Sequence, residues 1–145
     1  MCYRKIVSSF AGVAVAVLLA ACGGGPGGGA AGPADLVPIP QISSFDPPFF
    51  NFCRIEDGER LLVTVRNQGS GDAAASTTTV QFSPGGSVSK PTGAISGSGG
   101  FIDLAFDIPA GCFNADCGFT ITVDSGNVVN ESSETNNSAN GTCIG

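Results

Sequence analysis

The chain has 145 residues, with 12 acidic side chains against 6 basic ones and neither histidine nor tryptophan. A net charge of −6 argues against nucleic acid as a partner, because phosphate binding needs clustered Lys and Arg. The missing histidine removes the commonest general base and metal ligand, and with them the usual catalytic triads.

Arg4 and Lys5 form a short basic head, and residues 6–21 carry no charge. That run is too short and too rich in small residues for a membrane-spanning helix, which needs about 20 strongly apolar positions. Positive start, apolar middle and a small-residue end make a secretory signal. The end reads Leu19-Ala20-Ala21-Cys22. A cysteine after such a box resembles the signal of bacterial lipoproteins. The resemblance implies that residues 1–21 are removed and that Cys22 carries a diacylglyceryl thioether and an acylated amine. The mature chain is then anchored to a membrane through lipid on Cys22, without spanning it. Gly23, where aspartate would retain a lipoprotein at the inner membrane, implies the outer membrane in a Gram-negative cell. With residues 1–21 removed, only Arg54, Arg60, Arg66 and Lys90 oppose the twelve acids, so the mature charge is −8.

Residues 22–34 are dominated by Gly and Pro and read as a flexible tether with a reach of roughly 20 Å. Residues 35–145 suit one domain. No helical periodicity is sustained, and Gly, Pro, Ser, Thr and Asn interrupt at short intervals. Residues 35–42 form a first strand, confined to an edge by Pro38 and Pro40. Residues 49–54 continue it after Pro47 and Pro48. Residues 60–67 put Leu61, Val63 and Val65 on one face. Residues 77–82 turn Thr78, Val80 and Phe82 inward. Residues 101–108 place Ile102, Leu104, Phe106 and Ile108 on one face, with Asp103 and Asp107 on the other. Phe119, Ile121 and Val123 line the next strand. Val128 and Val129, then residues 138–144, supply the last edge. About seven such strands predict an all-β two-sheet sandwich.

Cys2 leaves with the leader and Cys22 takes lipid, so Cys53, Cys112, Cys117 and Cys143 remain. Export makes disulfides the default, and four cysteines allow three pairings. The Phe113-Asn114-Ala115-Asp116 turn makes a local Cys112–Cys117 bridge easy, which leaves Cys53 with Cys143. A four-thiolate zinc site needs close pairs on both sides, and Cys53 and Cys143 have no near partner.

Two segments carry a family resemblance. Residues 62–73 contain Val63, Val65, Asn67, Gly69 and Ala73 in the pattern V-x-V-x-N-x-G-x-x-x-A. Residues 121–137 contain Val123, Asp124, Asn127, Val129, Glu131, Glu134, Asn136 and Asn137 in the pattern V-D-x-x-N-x-V-x-E-x-x-E-x-N-N. Together they resemble the CARDB family, the cell-adhesion-related domain found in bacteria. The resemblance covers most of residues 35–145 and implies an immunoglobulin-like sandwich with a role in adhesion. The four cysteines and residues 49–54 stand outside the family pattern.

The motif residues have two readings. In the first, Gly69 and Gly71 supply positive φ, Asp124 caps its turn through Asn127, and Glu131, Glu134, Asn136 and Asn137 satisfy backbone N–H groups where the chain crosses to the last strand. In the second, Asp124, Asn127, Glu131 and Glu134 are oxygen donors for Ca2+, although no EF-hand spacing is present. The expected protein is therefore a non-catalytic binding, adhesion or structural module at the cell envelope, with a protein or glycan partner and no cofactor. The alternatives are a passive spacer or a small hydrolase with paired carboxylates. Asp103 and Asp107 lie about 13 Å apart along a strand, beyond the roughly 5–9.5 Å that glycosidase carboxylates need.

Overall fold

The computed structural model describes residues 31–42 and 50–145. The leader, Cys22 and most of the 22–34 tether lie outside the described residues. Ten strands follow in chain order: β1 Leu36–Ile39, β2 Gln41–Ile42, β3 Phe50–Asn51, β4 Ile55–Glu56, β5 Arg60–Asn67, β6 Ser76–Ser83, β7 Gly86–Thr92, β8 Phe101–Asp107, β9 Asp116–Thr122 and β10 Ser138–Ile144. No helix occurs among the described residues.

The long strands make two antiparallel sheets. In the first, β5 lies centrally, with β8 on one side and β1 and β4 on the other. The second runs β10-β9-β6-β7. Alternation along each strand decides what lies between them. Leu61, Val63 and Val65 of β5 and Phe106 of β8 face Val80 and Phe82 of β6 and Phe119 and Ile121 of β9, all buried. The two-sheet sandwich is therefore the one the alternation predicts. At the β7–β8 side, Lys90 Nζ lies 5.9 Å from the centre of the Phe106 ring and covers the flank of the core.

Several local expectations change. The strand at 35–42 breaks at Pro40, which has no N–H to continue the ladder. Its first half, β1, remains an edge strand on β5. Its second half, β2, instead pairs antiparallel with β3, so the expected continuation folds back on it from residue 50. Val128 and Val129 lie in a loop, not a strand. Residues 86–92, which carry a single large apolar side chain, form the full edge strand β7, with Val80 opposite Val88.

Two disulfides bind the frame. Cys53 joins Cys143 with Cα atoms 5.2 Å apart, and Cys112 joins Cys117 at 4.8 Å. The first ties the segment leading into β4 to β10, and so one sheet to the other. Cys143 lies directly opposite Cys117 in the β9–β10 ladder, so both bridges sit at one end of the sandwich.

Candidate functional site

Strand direction gives the sandwich two distinct ends. β5 runs from Arg60 to Asn67, a span of roughly 24 Å. The incoming chain at residues 32–36 meets the Asn67 end, and the disulfide-bearing loop lies at the Arg60 end.

At the Asn67 end most motif side chains hold backbone, whereas Asn136 and Asn137, expected to satisfy backbone N–H groups, donate to carboxylates and leave their own Oδ1 atoms buried without a partner among the described residues. Asn67 is fully buried, and all four of its hydrogen bonds are to main chain. Its Oδ1 accepts from the amides of Asp35 (3.0 Å) and Gly69 (3.1 Å), and its Nδ2 donates to the carbonyls of Gly71 (2.8 Å) and Ile95 (3.1 Å). Glu131 accepts the Leu36 amide on Oε2 and the Asn137 side-chain amide on Oε1 (2.9 Å). Burial pushes the Glu131 carboxyl above the usual carboxylate range, with the Leu36 hydrogen bond opposing it. Glu134 accepts the Glu131 amide (3.1 Å), and Asn136 donates to Asp35 Oδ1 (2.9 Å). Asp124 accepts from the amides of Val128 (3.2 Å) and Val129 (2.8 Å), while the Asn127 amide bonds only to the Asp124 carbonyl.

These contacts revise the reading of several residues. Gly69 and Gly71 are not needed for positive φ. A Cβ on Gly69 would lie 2.5 Å from the Pro33 oxygen, and one on Gly71 would lie 2.0 Å from the Gly32 oxygen, so they are glycine to let the incoming segment pass. That segment belongs to the folded domain as far back as Gly32, whose amide donates to Ser70 Oγ at 2.8 Å. The motif thus holds the first strand as well as the crossing to the last. Of the four calcium candidates, Asp124, Glu131 and Glu134 turn carboxylate oxygens onto amides. No group of three or more His, Cys, Asp or Glu side chains suited to a metal occurs among the described residues. Asp103 and Asp107 have different neighbours: Thr64 donates to Asp103, which also lies 3.9 Å from Arg54, while Asp107 stands opposite Arg60.

The other end is built differently. Asp57 and Gly58, both at positive φ, turn the β4–β5 hairpin. Its Glu59 carbonyl accepts the Ile108 amide at 2.9 Å, which docks the start of the β8–β9 loop against the hairpin. Between hairpin and loop opens a groove of about 560 Å³, lined by Glu59, Asp107, Ile108, Pro109, Phe113 and Asn114 among others. Phe113 is 36% exposed. The side chains of Glu59, Asp107 and Asn114 make no hydrogen bond to another described residue. Most polar groups at the Asn67 end are held by the fold, although the buried Asn136 Oδ1 and Asn137 Oδ1 have no hydrogen-bond partner among the described residues; those of Glu59, Asp107 and Asn114 line the groove. Sequence reading named Asp107 only as half of a carboxylate pair and missed Glu59, Phe113 and Asn114. The Asp57-Gly58 dipeptide, a strong hairpin signal, marks one wall of the groove.

A family model for CARDB matches residues 56–141. No curated protein matches the chain. Among solved structures, a domain of a Methanosarcina acetivorans protein assigned to the cell surface is similar, at 19% identity and a TM-score of 0.58, over 77% of this chain and 90% of that one. The CARDB domain of a Pyrococcus furiosus protein, in complex with di-metal ions, aligns at 16% identity and a TM-score of 0.49, over 77% and 93%. The match spans both motif segments, residues 62–73 and 121–137, and more than half of the sequence: the chain belongs to the CARDB family.

Proposed function

We propose that the protein is an exported, non-catalytic binding module of the cell envelope, anchored through lipid on Cys22, at the outer membrane in a Gram-negative cell. The observation that carries this reading is the polarity of the sandwich. The chain coming from the tether is gripped at the Asn67 end, and the groove lined by Glu59, Asp107 and Asn114 opens at the opposite end. A domain held in that way presents its free end away from the membrane. Two disulfides suit an oxidising compartment. CARDB membership and similarity to a domain assigned to the cell surface support an adhesive role toward protein or glycan. The separate neighbours of Asp103 and Asp107 favour binding over hydrolysis.

The test has two parts. Labelled palmitate should enter the wild-type protein and not Cys22→Ser, and the variant should move to the soluble extracytoplasmic fraction. The protein should also adsorb to isolated envelopes. Unlabelled wild-type protein in the soluble cell interior would refute the anchor, and no adsorption would refute the binding module.

A further inference from the structure

We infer that the groove between the β4–β5 hairpin and the β8–β9 loop is a saccharide-binding subsite, with Phe113 as its stacking surface and Glu59, Asp107 and Asn114 as its hydrogen-bonding rim. The inference rests on the binding-module reading and gives it a ligand class and a location.

Size and rigidity come first. A volume of about 560 Å³ falls in the range of small-ligand clefts. The groove is preformed. The Cys112–Cys117 bridge closes the loop around Phe113 and Asn114, the Cys112 amide donates to the Pro109 carbonyl at 3.1 Å, and the Asn114 amide donates to the Gly111 carbonyl at 3.2 Å. A ligand therefore meets walls that are already ordered, which lowers the cost of binding.

Chemistry selects the ligand. A sugar ring presents an apolar C–H face and a rim of hydroxyls that both donate and accept. An exposed phenyl ring suits the face. Carboxylates accept strong hydrogen bonds from hydroxyls, and an amide both donates and accepts. The Phe113, Glu59, Asp107 and Asn114 set supplies these functions. A purely apolar ligand would strip water from two carboxylates and return nothing. An anion would meet carboxylates with no basic side chain lining the groove. A simple cation is poorly served, because Asp107 already lies in the field of the Arg60 guanidinium. The groove also opens at the end of β5 remote from the gripped incoming chain, where a tethered domain would reach a glycan.

The experiment is an amide NMR titration of the full lipidated protein in detergent micelles, with cellobiose and N,N′-diacetylchitobiose as probes and tetralysine as the cationic comparison. At least one disaccharide should give saturable shifts at Gly58, Gly111 and Asn114 with a Kd on the order of 1 mM. Phe113→Ala should weaken binding about tenfold, Phe113→Tyr should retain it, and Asp107→Asn should weaken it about threefold. Unchanged signals from Val65 and Phe106 establish that each variant is folded. The inference is overturned if neither disaccharide shifts these signals at about 50 mM, if the shifts lie elsewhere, if Phe113→Ala binds as well as wild type, or if only tetralysine saturates the groove. Failure of the disaccharides with continued adsorption to envelopes removes the groove inference and leaves the module reading standing. Failure of both removes both.

Discussion

Asn67 should be the residue whose loss the fold tolerates least among its polar groups. Asn67→Ala removes an acceptor from the Asp35 and Gly69 amides and a donor from the Gly71 and Ile95 carbonyls. The Ile95 carbonyl keeps a partner, since the Ala73 amide donates to it at 2.8 Å. Three main-chain groups are left unpaired. At about 1–3 kcal/mol for each buried orphan, and with the two amides only part-buried, the expected loss is about 3–5 kcal/mol. That is a large share of the roughly 5–15 kcal/mol that holds a domain together. For a domain of this size the thermal midpoint should fall by about 12–20 °C. Asn67→Asp sharpens the test. It keeps the acceptor but turns a second oxygen onto two carbonyls, which disfavours the ionised form and raises that carboxyl's pKa. The folded variant then holds a proton more tightly than the unfolded one, so its stability should recover as the pH falls toward about 4. Thermal unfolding followed by circular dichroism at neutral and acid pH measures both effects. A midpoint for Asn67→Ala within about 4 °C of wild type would refute the claim that this side chain is a structural node.

Three further outcomes are expected. Replacing Cys53 and Cys143 by Ser releases a loop with a sequence separation of 90 and should cost up to about 4–5 kcal/mol, whereas replacing Cys112 and Cys117 releases a separation of 5 and should cost about 2 kcal/mol. Denaturant midpoints in the reverse order would contradict the chain-entropy account. Glu131→Gln should flatten the pH dependence of stability. Because burial raises the folded-state pKa, the wild-type carboxyl favours folding at low pH, and that contribution is lost as pH rises from 4.5 through the raised value; parallel melting curves for the two proteins across this window would sink the argument. Phe106→Ala, at a fully buried ring beneath Lys90, should cost about 3–5 kcal/mol by equilibrium unfolding, and a change below about 1 kcal/mol would mean that the two sheets do not pack around it.

What the amino-acid order determined by itself was the sheet faces. Alternation in β5, β6, β8 and β9 is local: each side chain points opposite to its neighbour, and burial of one face follows from the period of two. β7 escaped that logic because its face is mostly Ser, Lys and Pro, and its ladder comes from β6 rather than from its own apolar pattern. Val128 and Val129 misled for the converse reason: they are strand-forming residues held in a loop by Asp124. Asp124, Glu131 and Glu134 were legible as groups that bind backbone, but not which backbone, and Asn136 and Asn137 bind carboxylates instead. The Leu36 amide lies 95 positions from Glu131, and only packing of the two sheets brings them together. The groove is likewise tertiary. Its walls come from residues 58–59 and 107–114, joined through the Ile108 amide and the Glu59 carbonyl. Periodicity is carried by neighbours along the chain, whereas a hydrogen-bond partner or a cleft depends on how distant segments meet, and that is decided by burial of the shared core.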